Sequence, residues 1–149
     1  MPNSVEQEVA LARLGQLPSL ICRMKSGWAV LAGMQYLQGY CILLADPIAD
    51  SLNELDTAHR ADFLLDMCTI GDAIKKVTGA YRVNYGIMGN TDPFLHAHIT
   101  PRFLDEPEAM LHNHPWAYAD EIMSGRPFDS ARDAELIRRM RLAILNPFP

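Results

Sequence analysis

The sequence predicts an α+β fold, on the basis of three observations. Three short apolar runs rich in β-prone residues follow one another with short connections, which favours antiparallel strands. One longer stretch carries apolar residues at helical spacing, which predicts a helix packed on the sheet. A later run alternates histidine with small or aliphatic residues, which predicts a strand with two chemically different faces.

A short helix and three strands are expected first. The segment Ser4-Val5-Glu6-Gln7 matches a capping box, and Val5, Val9 and Ala12 follow at helical spacing until Gly15 interrupts the pattern. The apolar runs that come next are bounded by glycine, proline or polar residues, as strands usually are. We expect strands over residues 20–24, 28–32 and 40–45.

A long helix is expected next. Asp56 or Thr57 can cap it, and the helix should run to Val77 before Gly79 stops it. Its apolar residues step by three and four, so they form one continuous stripe that can face the sheet. The stripe consists of Phe63, Met67, Ile70, Ile74 and Val77.

Three further segments complete the predicted chain. Residues 81–87 alternate polar and apolar side chains, which predicts a half-buried strand, and residues 89–93 form a tight loop. Residues 130–133 resemble a cap for a final helix that ends before Pro147. At this length we expect a single domain, residues 1–149.

The composition is that of an ordinary globular domain, with 49% hydrophobic and 21% charged residues. The formal net charge of -5 argues against extended binding of nucleic acid. No apolar run approaches the length of a membrane span and the N-terminus lacks a signal sequence, so we expect a cytoplasmic protein without a membrane segment. Three widely spaced cysteines, Cys22, Cys41 and Cys68, are predicted to be buried free thiols.

The histidine-containing strand, predicted over residues 94–100, carries the most informative pattern. Two imidazoles on one face can bind a metal, hold a phosphate, or divide the roles of nucleophile and hydrogen-bond donor. Pro101 is expected to end the strand, and backbone amides of the preceding Gly-Asn-Thr turn could hold anionic oxygens. The residues expected on the histidine face are Phe94, His96, His98 and Thr100, and those on the core face are Leu95, Ala97 and Ile99.

This strand resembles the end of the histidine triad (HIT) signature, His-φ-His-φ-His-φ-φ-Pro-Arg, where φ is an apolar residue. The Pro-Arg ending at residues 101–102 sets the register of the comparison. His96 then takes the place of the second histidine and His98 that of the third, while Phe94 stands where the first belongs.

The resemblance covers about residues 19–103 and leaves residues 104–149 as a C-terminal extension. It includes Gly39-Tyr40-Cys41-Ile42-Leu43 in the place of the family's Gly-His-φ-φ-φ strand, and Leu52-Asn53-Glu54-Leu55 before the long helix. It also includes Gly89-Asn90-Thr91, where the family usually has Gly-Gln-Ser or Gly-Gln-Thr.

The resemblance implies an α+β, HIT-like fold with a five-stranded antiparallel sheet and a long packed helix, normally as a homodimer. Extra N- and C-terminal helices are expected in this chain. The implied activity is that of a nucleotide-binding hydrolase or transferase, which cleaves nucleoside phosphoramidates or dinucleoside polyphosphates through a nucleotidyl-histidine intermediate and needs no cofactor. The implied catalytic residues are His96 as nucleophile and His98 as phosphate-stabilising partner, and the implied substrate-binding residues are Asn84, Asn90 and Thr91.

Departures from the family pattern leave a second function open. Phe94 cannot make the hydrogen bonds of a first histidine, so the chain could be a nucleotide-binding module that has lost useful catalysis. Ala32 falls near a ribose-contacting asparagine of many family members, and Gln35 is a candidate to replace it.

A second His-x-His pair, His112 and His114, suggests a third possibility. Together with His96 and His98 it could form a four-histidine metal site, because imidazole is a common zinc ligand. A solvated loop pair is the alternative. Trp116, close by, either packs on the protein or stacks on a nucleobase.

Overall fold

The computed structural model describes residues 4–147. Within this range the strands form one antiparallel five-stranded sheet with the order β1-β2-β3-β5-β4. The predicted α+β fold is confirmed. In chain order the elements are α1 (Val5–Arg13), β1 (Leu20–Arg23), β2 (Gly27–Leu31), β3 (Cys41–Ala45), a 3-10 turn (Leu52–Glu54), α2 (Thr57–Thr78), β4 (Arg82–Gly86), β5 (His96–Arg102), α3 (Glu108–Leu111), a 3-10 turn (Pro115–Ala117), α4 (Asp120–Met123) and α5 (Ala134–Leu145).

Helix α1 begins at the predicted capping box. The Ser4 hydroxyl accepts a hydrogen bond from the Gln7 backbone at 3.3 Å, and the Ser4 backbone N–H donates to the Gln7 side chain at 3.0 Å. These reciprocal bonds satisfy two amides that a helix start otherwise leaves unpaired. The buried face of α1 packs on the sheet against Val30 and Leu44.

Helix α2 begins and ends where the sequence predicts. The Asp56 side chain accepts a hydrogen bond from the His59 backbone at 2.8 Å, which caps the first turn. At the other end Gly79 has φ 75, the left-handed conformation that commonly closes a helix. Of the predicted stripe, Phe63, Met67, Ile70 and Ile74 are buried and Val77 is half-buried.

The two faces of the sheet are covered by different helices. Helices α2 and α5 pack with each other on one face, where they enclose the main hydrophobic core. Helix α1 covers part of the opposite face, where a smaller apolar cluster lies. The expected extra N-terminal and C-terminal helices are therefore both present, and only part of one sheet face remains for a binding site.

Strand β5 differs from its predicted extent. It starts at His96 and continues through Pro101 to Arg102, so the prediction that Pro101 ends the strand is wrong. The Tyr81 backbone N–H donates to the Arg102 carbonyl at 3.1 Å, so the backbone N–H and carbonyl of Arg102 point toward β4. The nitrogen of Pro101 consequently points toward β3, where pairing has already ended at Cys41 and Ile99. Although proline has no N–H group, its presence at this position therefore costs the sheet no hydrogen bond.

Two other predictions also need correction. All three cysteines are free, but only Cys41 is buried and Cys22 is half-buried. Cys68 is exposed, because it lies one residue from Met67 and so about 100° around α2 from the buried stripe. Helix α5 begins after Asp133, whose carboxylate makes no capping bond and instead pairs with Arg126 and Arg132. Among residues 4–147 no helix is long and apolar enough to cross a membrane.

Gly27, at the start of β2, occupies a position that excludes a side chain. It pairs with Ala45 of β3, and a Cβ atom there would lie 1.8 Å from the Leu44 carbonyl oxygen. Strand β3 is central in the sheet, so its backbone cannot move away without losing ladder bonds on both sides. This contact therefore requires glycine.

Replacing Gly27 with alanine is expected to lower the free energy of unfolding by about 1–3 kcal/mol, the usual cost of forcing an extra group into a packed region. The matched control is Gly33→Ala, because a Cβ at Gly33 meets no atom within 4 Å. The control should change stability by less than about 0.5 kcal/mol. Urea unfolding followed by circular dichroism measures both, and equal stability of the two variants would contradict the prediction.

Candidate active site

Strand β5 places His96 and His98 side by side on one face of the sheet. Their ring centroids are 4.9 Å apart. The intervening Ala97 and the following Ile99 are completely buried in the core under α2. Thr100, expected on the histidine face, is also fully buried, and its hydroxyl has no hydrogen-bond partner among the described residues. The accessible chemistry of this strand therefore belongs to the two histidines.

The backbone orients the His96 ring. The Nδ1 atom of His96 lies 2.7 Å from the carbonyl oxygen of Phe94. A carbonyl only accepts hydrogen bonds, so Nδ1 carries a proton, and in the neutral ring Nε2 then keeps a free lone pair. The Phe94 side chain takes no part in this contact and packs with the apolar cluster under α1.

The His98 ring is held by a tyrosine. Its Nδ1 atom lies 2.5 Å from the Tyr40 hydroxyl. Burial lowers the pKa of His98 to about 4, with a smaller contribution from His96, and burial raises the pKa of Tyr40. Both groups are therefore neutral at pH 7, and the tyrosine is the better donor. Tyr40 then donates to Nδ1, which leaves the proton of His98 on Nε2.

Residues of β4 lie beside the histidines in a defined register. Gly86 pairs with His98, Asn84 with Thr100 and Arg82 with Arg102, so these β4 residues share the histidine face. The Asn84 side-chain oxygen accepts a hydrogen bond from Arg102 at 2.8 Å. Its amide nitrogen has no hydrogen-bond partner in the described part of the chain, so it can donate to a ligand.

A buried ion pair holds the start of the C-terminal extension on this face. Arg102 donates to the Glu106 carboxylate at 3.0 Å and to the Asn113 carbonyl at 2.6 Å, and its side chain is only 4% exposed. The Tyr118 hydroxyl also donates to Glu106, at 2.6 Å. Burial alone raises the pKa of Glu106, but the hydrogen bonds from Arg102 and Tyr118 lower it below its ordinary value.

The extension places Trp116 against the sheet. A Cβ atom on Gly86 would lie 2.7 Å from the Trp116 ring, so the absence of a side chain at position 86 makes room for the indole. The indole centroid is 5.5 Å from the His98 ring and 6.4 Å from the His114 ring. Trp116 therefore packs on the protein and, at the same time, forms a wall of the histidine site.

Two cavities are lined by neighbours of the histidine pair, although neither His96 nor His98 lines them. One, of about 590 Å³, is bounded by α1, by the end of β2 and by Tyr40 and Ile42, and Ile42 pairs with His98 across the sheet. The other, of about 500 Å³, lies on the β4 side and is bounded by Asn84 and Trp116. The first cavity has a mostly apolar lining, and the second mixes polar with apolar and aromatic groups.

The other residues that the sequence suggested as substrate contacts are Asn90, Thr91 and Gln35. Asn90 and Thr91 are exposed and make no hydrogen bond to the described residues, whereas Asp92 of the same loop accepts one from the Val5 backbone at 2.7 Å. The suggestion that Gln35 contacts a ribose is wrong. Gln35 is fully buried, and its amide is used by the Ala32 and Tyr40 carbonyls and the Gly39 backbone N–H.

The four histidines considered for a metal site do not converge. The Trp116 indole lies between His98 and His114. Across residues 4–147, no group of three or more histidine, cysteine, aspartate or glutamate side chains is arranged to hold a metal ion.

Sequence reasoning did not identify Tyr40 or Arg102 as site residues. One signal for Tyr40 was present, because it stands in the place of the histidine in the Gly-His-φ-φ-φ strand. Arg102 belongs to the Pro-Arg ending, which served only to align the strand. The contact each residue makes depends on a partner far away in the chain, Tyr40 with His98 and Arg102 with Asn84.

The His98 ring is expected to stay neutral down to about pH 5, because burial lowers its pKa to about 4. Its Nε2 nitrogen should carry the proton throughout that range, as the Tyr40 contact requires. Nitrogen-15 NMR of the imidazoles measures both properties, and Tyr40→Phe should shift the tautomer ratio toward a mixture. An ordinary titration of His98 near pH 6.5 would contradict the assignment.

The sequence matches no protein-family model and no curated protein. Solved structures are nevertheless similar. A histidine triad protein from Sinorhizobium meliloti has a TM-score of 0.68 and 20% identity, over 88% of this chain and 90% of that chain. A hypothetical histidine triad nucleotide-binding protein from Sulfolobus tokodaii has a TM-score of 0.71 and 14% identity, over 94% and 92%.

A further similar structure is that of the diadenosine triphosphate hydrolase of Plasmodium falciparum in complex with cyclomarin A. It has a TM-score of 0.64 and 15% identity, and the similarity covers 89% of this chain and 80% of that chain. Identities in this range establish a common fold. The chain therefore has the histidine triad (HIT) fold that its histidine strand indicated.

Proposed function

We propose that the protein is a nucleotide-binding hydrolase or transferase of the HIT type, with His96 as its nucleophile. The observation that carries this proposal is the 2.7 Å contact between His96 Nδ1 and the Phe94 carbonyl. It leaves the Nε2 lone pair of a neutral imidazole available, and such a ring is a competent nucleophile at neutral pH without a metal or a strong base. The proposed substrates are nucleoside phosphoramidates and dinucleoside polyphosphates, and no cofactor is required.

The proposed reaction consists of two displacements at the α-phosphorus. In the first, His96 Nε2 forms a bond to phosphorus while the bond from phosphorus to the leaving group breaks; a nucleotide leaves as an anion, and an amine takes a proton from solvent as it leaves. In the second, water attacks phosphorus, the phosphorus–nitrogen bond breaks and the nucleoside monophosphate leaves. Nε2 regains its lone pair and the water proton passes to solvent. An acceptor other than water makes the second step a transfer.

The other site residues are proposed to stabilise charge and bind substrate. His98 donates its Nε2 proton to a phosphoryl oxygen as negative charge develops there, and Tyr40 holds it in that tautomer. Asn84 contributes its free amide, and the loop of Asn90 and Thr91 leads directly into the histidine strand. The apolar cavity beside Tyr40 has a volume of about 590 Å³, within the range of small-molecule sites, and is the proposed nucleoside pocket.

The replacement of the first triad histidine by Phe94 is compatible with this chemistry. The contact that orients His96 comes from the backbone of residue 94, so a phenylalanine side chain does not remove it. The lost side chain could still slow the departure of a leaving group. The second candidate function is therefore a HIT module that binds nucleotide but does not turn it over.

Replacing His96 with alanine is expected to lower kcat/KM for adenosine 5′-phosphoramidate by about a thousandfold or more, because the nucleophile is removed. His59→Ala, which removes an exposed histidine on α2, is the matched control and should leave turnover unchanged. Quenched-flow samples analysed by mass spectrometry should show a nucleotidyl group on His96 of the wild-type protein. Unchanged turnover in His96→Ala would refute the proposed nucleophile.

Calorimetry separates the second candidate function from the first. Micromolar binding of adenosine nucleotides without turnover of any phosphoramidate or polyphosphate substrate identifies a binding module. Absence of both binding and turnover contradicts both candidates.

We also propose that the chain forms a homodimer through the β4 edge of the sheet. Strand β4 is one of the two edge strands of the sheet, and exposed apolar side chains lie beside it, although the Tyr85 ring also packs over Gly71 of α2. A second copy paired along β4 would cover them and satisfy the free backbone groups of the edge. These side chains are Leu64, Leu65 and Tyr85, which are 41%, 65% and 45% exposed, with Cys68 between them.

Light scattering at micromolar concentration should give the mass of a dimer, and Leu65→Glu should give a monomer because it places a charge in the proposed contact. Leu14→Glu, at an exposed leucine next to α1, is the matched control and should remain dimeric. A wild-type monomer would contradict the proposal.

The proposed cellular context follows the sequence. Three free thiols fit a reducing compartment, so we propose a cytoplasmic location. We propose a single domain for residues 1–149, because the main core joins residues from Ile21 on β1 to Ile144 on α5.

A further inference from the structure

The apolar cavity beside Tyr40 carries one charged side chain among the described residues that line it, the carboxyl group of Glu8 on α1. Tyr40 belongs to the same lining, and its hydroxyl contacts His98 at 2.5 Å. A nucleotide whose α-phosphate lies at the histidine pair therefore has its nucleoside in this cavity. The charge that the nucleoside meets there is that of Glu8.

Glu8 lies on the side of α1 that faces the sheet. Val5, three positions earlier, and Ala12, four positions later, lie on the same side of the helix and are buried. Glu8 itself is half-buried, and its carboxyl group makes no hydrogen bond or ion pair with the described residues. A carboxyl group in such a position has lost part of its contact with water, so a ligand with hydrogen-bond donors would restore what is missing.

A second carboxylate lies near Glu8. Asp92, in the loop before β5, accepts hydrogen bonds from the backbone N–H groups of Val5 at 2.7 Å and Phe94 at 3.2 Å, which hold it at the start of α1. Burial raises the pKa of Glu8 to about 7, and the charge of Asp92 contributes a smaller part of that rise. Glu8 is therefore mostly protonated below about pH 7 and mostly ionised above it.

The other ionisable groups around the cavity are engaged elsewhere. Burial raises the pKa of Tyr40, so its hydroxyl is neutral at pH 7. Asp129, next to the lining residue Phe128, accepts hydrogen bonds from two backbone N–H groups of its own turn. The arginines of α1 and of the segment around Phe128 pair with other carboxylates, Arg13 with Asp46 and both Arg126 and Arg132 with Asp133.

The two forms of a carboxyl group present different hydrogen-bonding patterns. An ionised carboxylate only accepts, whereas a protonated carboxyl group donates at one oxygen and accepts at the other. Guanine offers two adjacent donors, N1–H and the 2-amino group, which match a carboxylate. Adenine has a lone pair on N1 beside its 6-amino group, so a carboxylate there would face a second acceptor. The protonated form, with one donor and one acceptor, can pair with either base.

We propose that Glu8 is a base-selecting residue of the nucleoside pocket, and that its carboxylate accepts hydrogen bonds from N1–H and the 2-amino group of guanine. The inference rests on the proposed function and narrows it to a preference for guanine over adenine nucleotides. The apolar lining packs on the faces of the base, and Glu8 replaces water at its polar edge. Helix α1 lies outside residues 19–103, so this contact belongs to the N-terminal helix and not to the region that resembles the HIT signature.

Calorimetry with GMP and AMP tests the proposal without requiring turnover. The two ligands carry the same ribose and phosphate, so the titration of the phosphate cancels in the ratio of their dissociation constants. The protonated fraction of Glu8, which AMP requires, falls about tenfold between about pH 6 and about pH 8, so the preference for GMP should rise about tenfold. IMP, which has N1–H but no 2-amino group, should bind more weakly than GMP at the higher pH.

Glu8→Gln is the informative variant, because its amide matches the size and the donor and acceptor of a protonated carboxyl group and cannot ionise. Its preference for GMP over AMP should be small and independent of pH, and its preference for GMP over IMP should largely disappear. The variant removes a charge that Asp92 repels, so it should fold at least as stably as the wild type. The matched control, Glu6→Gln, removes the same charge from an exposed position on α1 and should keep the pH-dependent preference.

The outcomes separate this inference from the proposed function. If GMP and AMP bind but their ratio is independent of pH in the wild type, or is the same in Glu8→Gln, the role of Glu8 is refuted while nucleotide binding stands. The same result is expected if Glu8 contacts the ribose hydroxyls, which both ligands share. If the protein turns over guanosine and adenosine 5′-phosphoramidates but binds the monophosphates too weakly to measure, the ratio of kcat/KM values gives the same test. If neither binding nor turnover is found, the proposed function fails and the inference fails with it.

Discussion

Strand β5 pairs with β3 on one edge and with β4 on the other, and other residues pack on both of its faces. The rest of the structure depends on the alternation of its side chains. Ala97 and Ile99 are buried under α2, while His96 and His98 face the site. A shift of one residue in its pairing with β3 and β4 would put imidazoles into the core and aliphatic groups into the site. The core and the chemistry of this protein are thus maintained by the same register.

A second layer of organisation comes from the buried Arg102 and Glu106 pair at the end of β5. Arg102 uses its guanidinium to join β5, Asn84 of β4 and the backbone of the extension, and each of its partners among the described residues is an oxygen acceptor. Removing either member leaves the other charged and buried, which is far more costly than losing an exposed pair. The pair therefore determines where the extension lies, and hence where Trp116 meets the sheet.

The histidine pair is supported by groups other than a first triad histidine. The Phe94 backbone orients His96, and Tyr40, from the neighbouring strand, orients His98. Phe94 itself contributes apolar area under α1. The side chain at position 94 thus serves packing while its carbonyl serves orientation, so an apolar residue there does not disorganise the two remaining histidines.

The sequence by itself determined the features that depend on local rules. Capping at Ser4 and Asp56, the stripe of α2 and the alternation of β5 follow from hydrogen bonding and periodicity within a few residues, and all were predicted. Only the tertiary structure decided the contacts that complete the site. Tyr40 and His98 are 58 positions apart, and Trp116 reaches Gly86 only because a buried ion pair folds the extension back. Which distant residues meet depends on strand order and on packing between elements, and neither is encoded in any single local pattern.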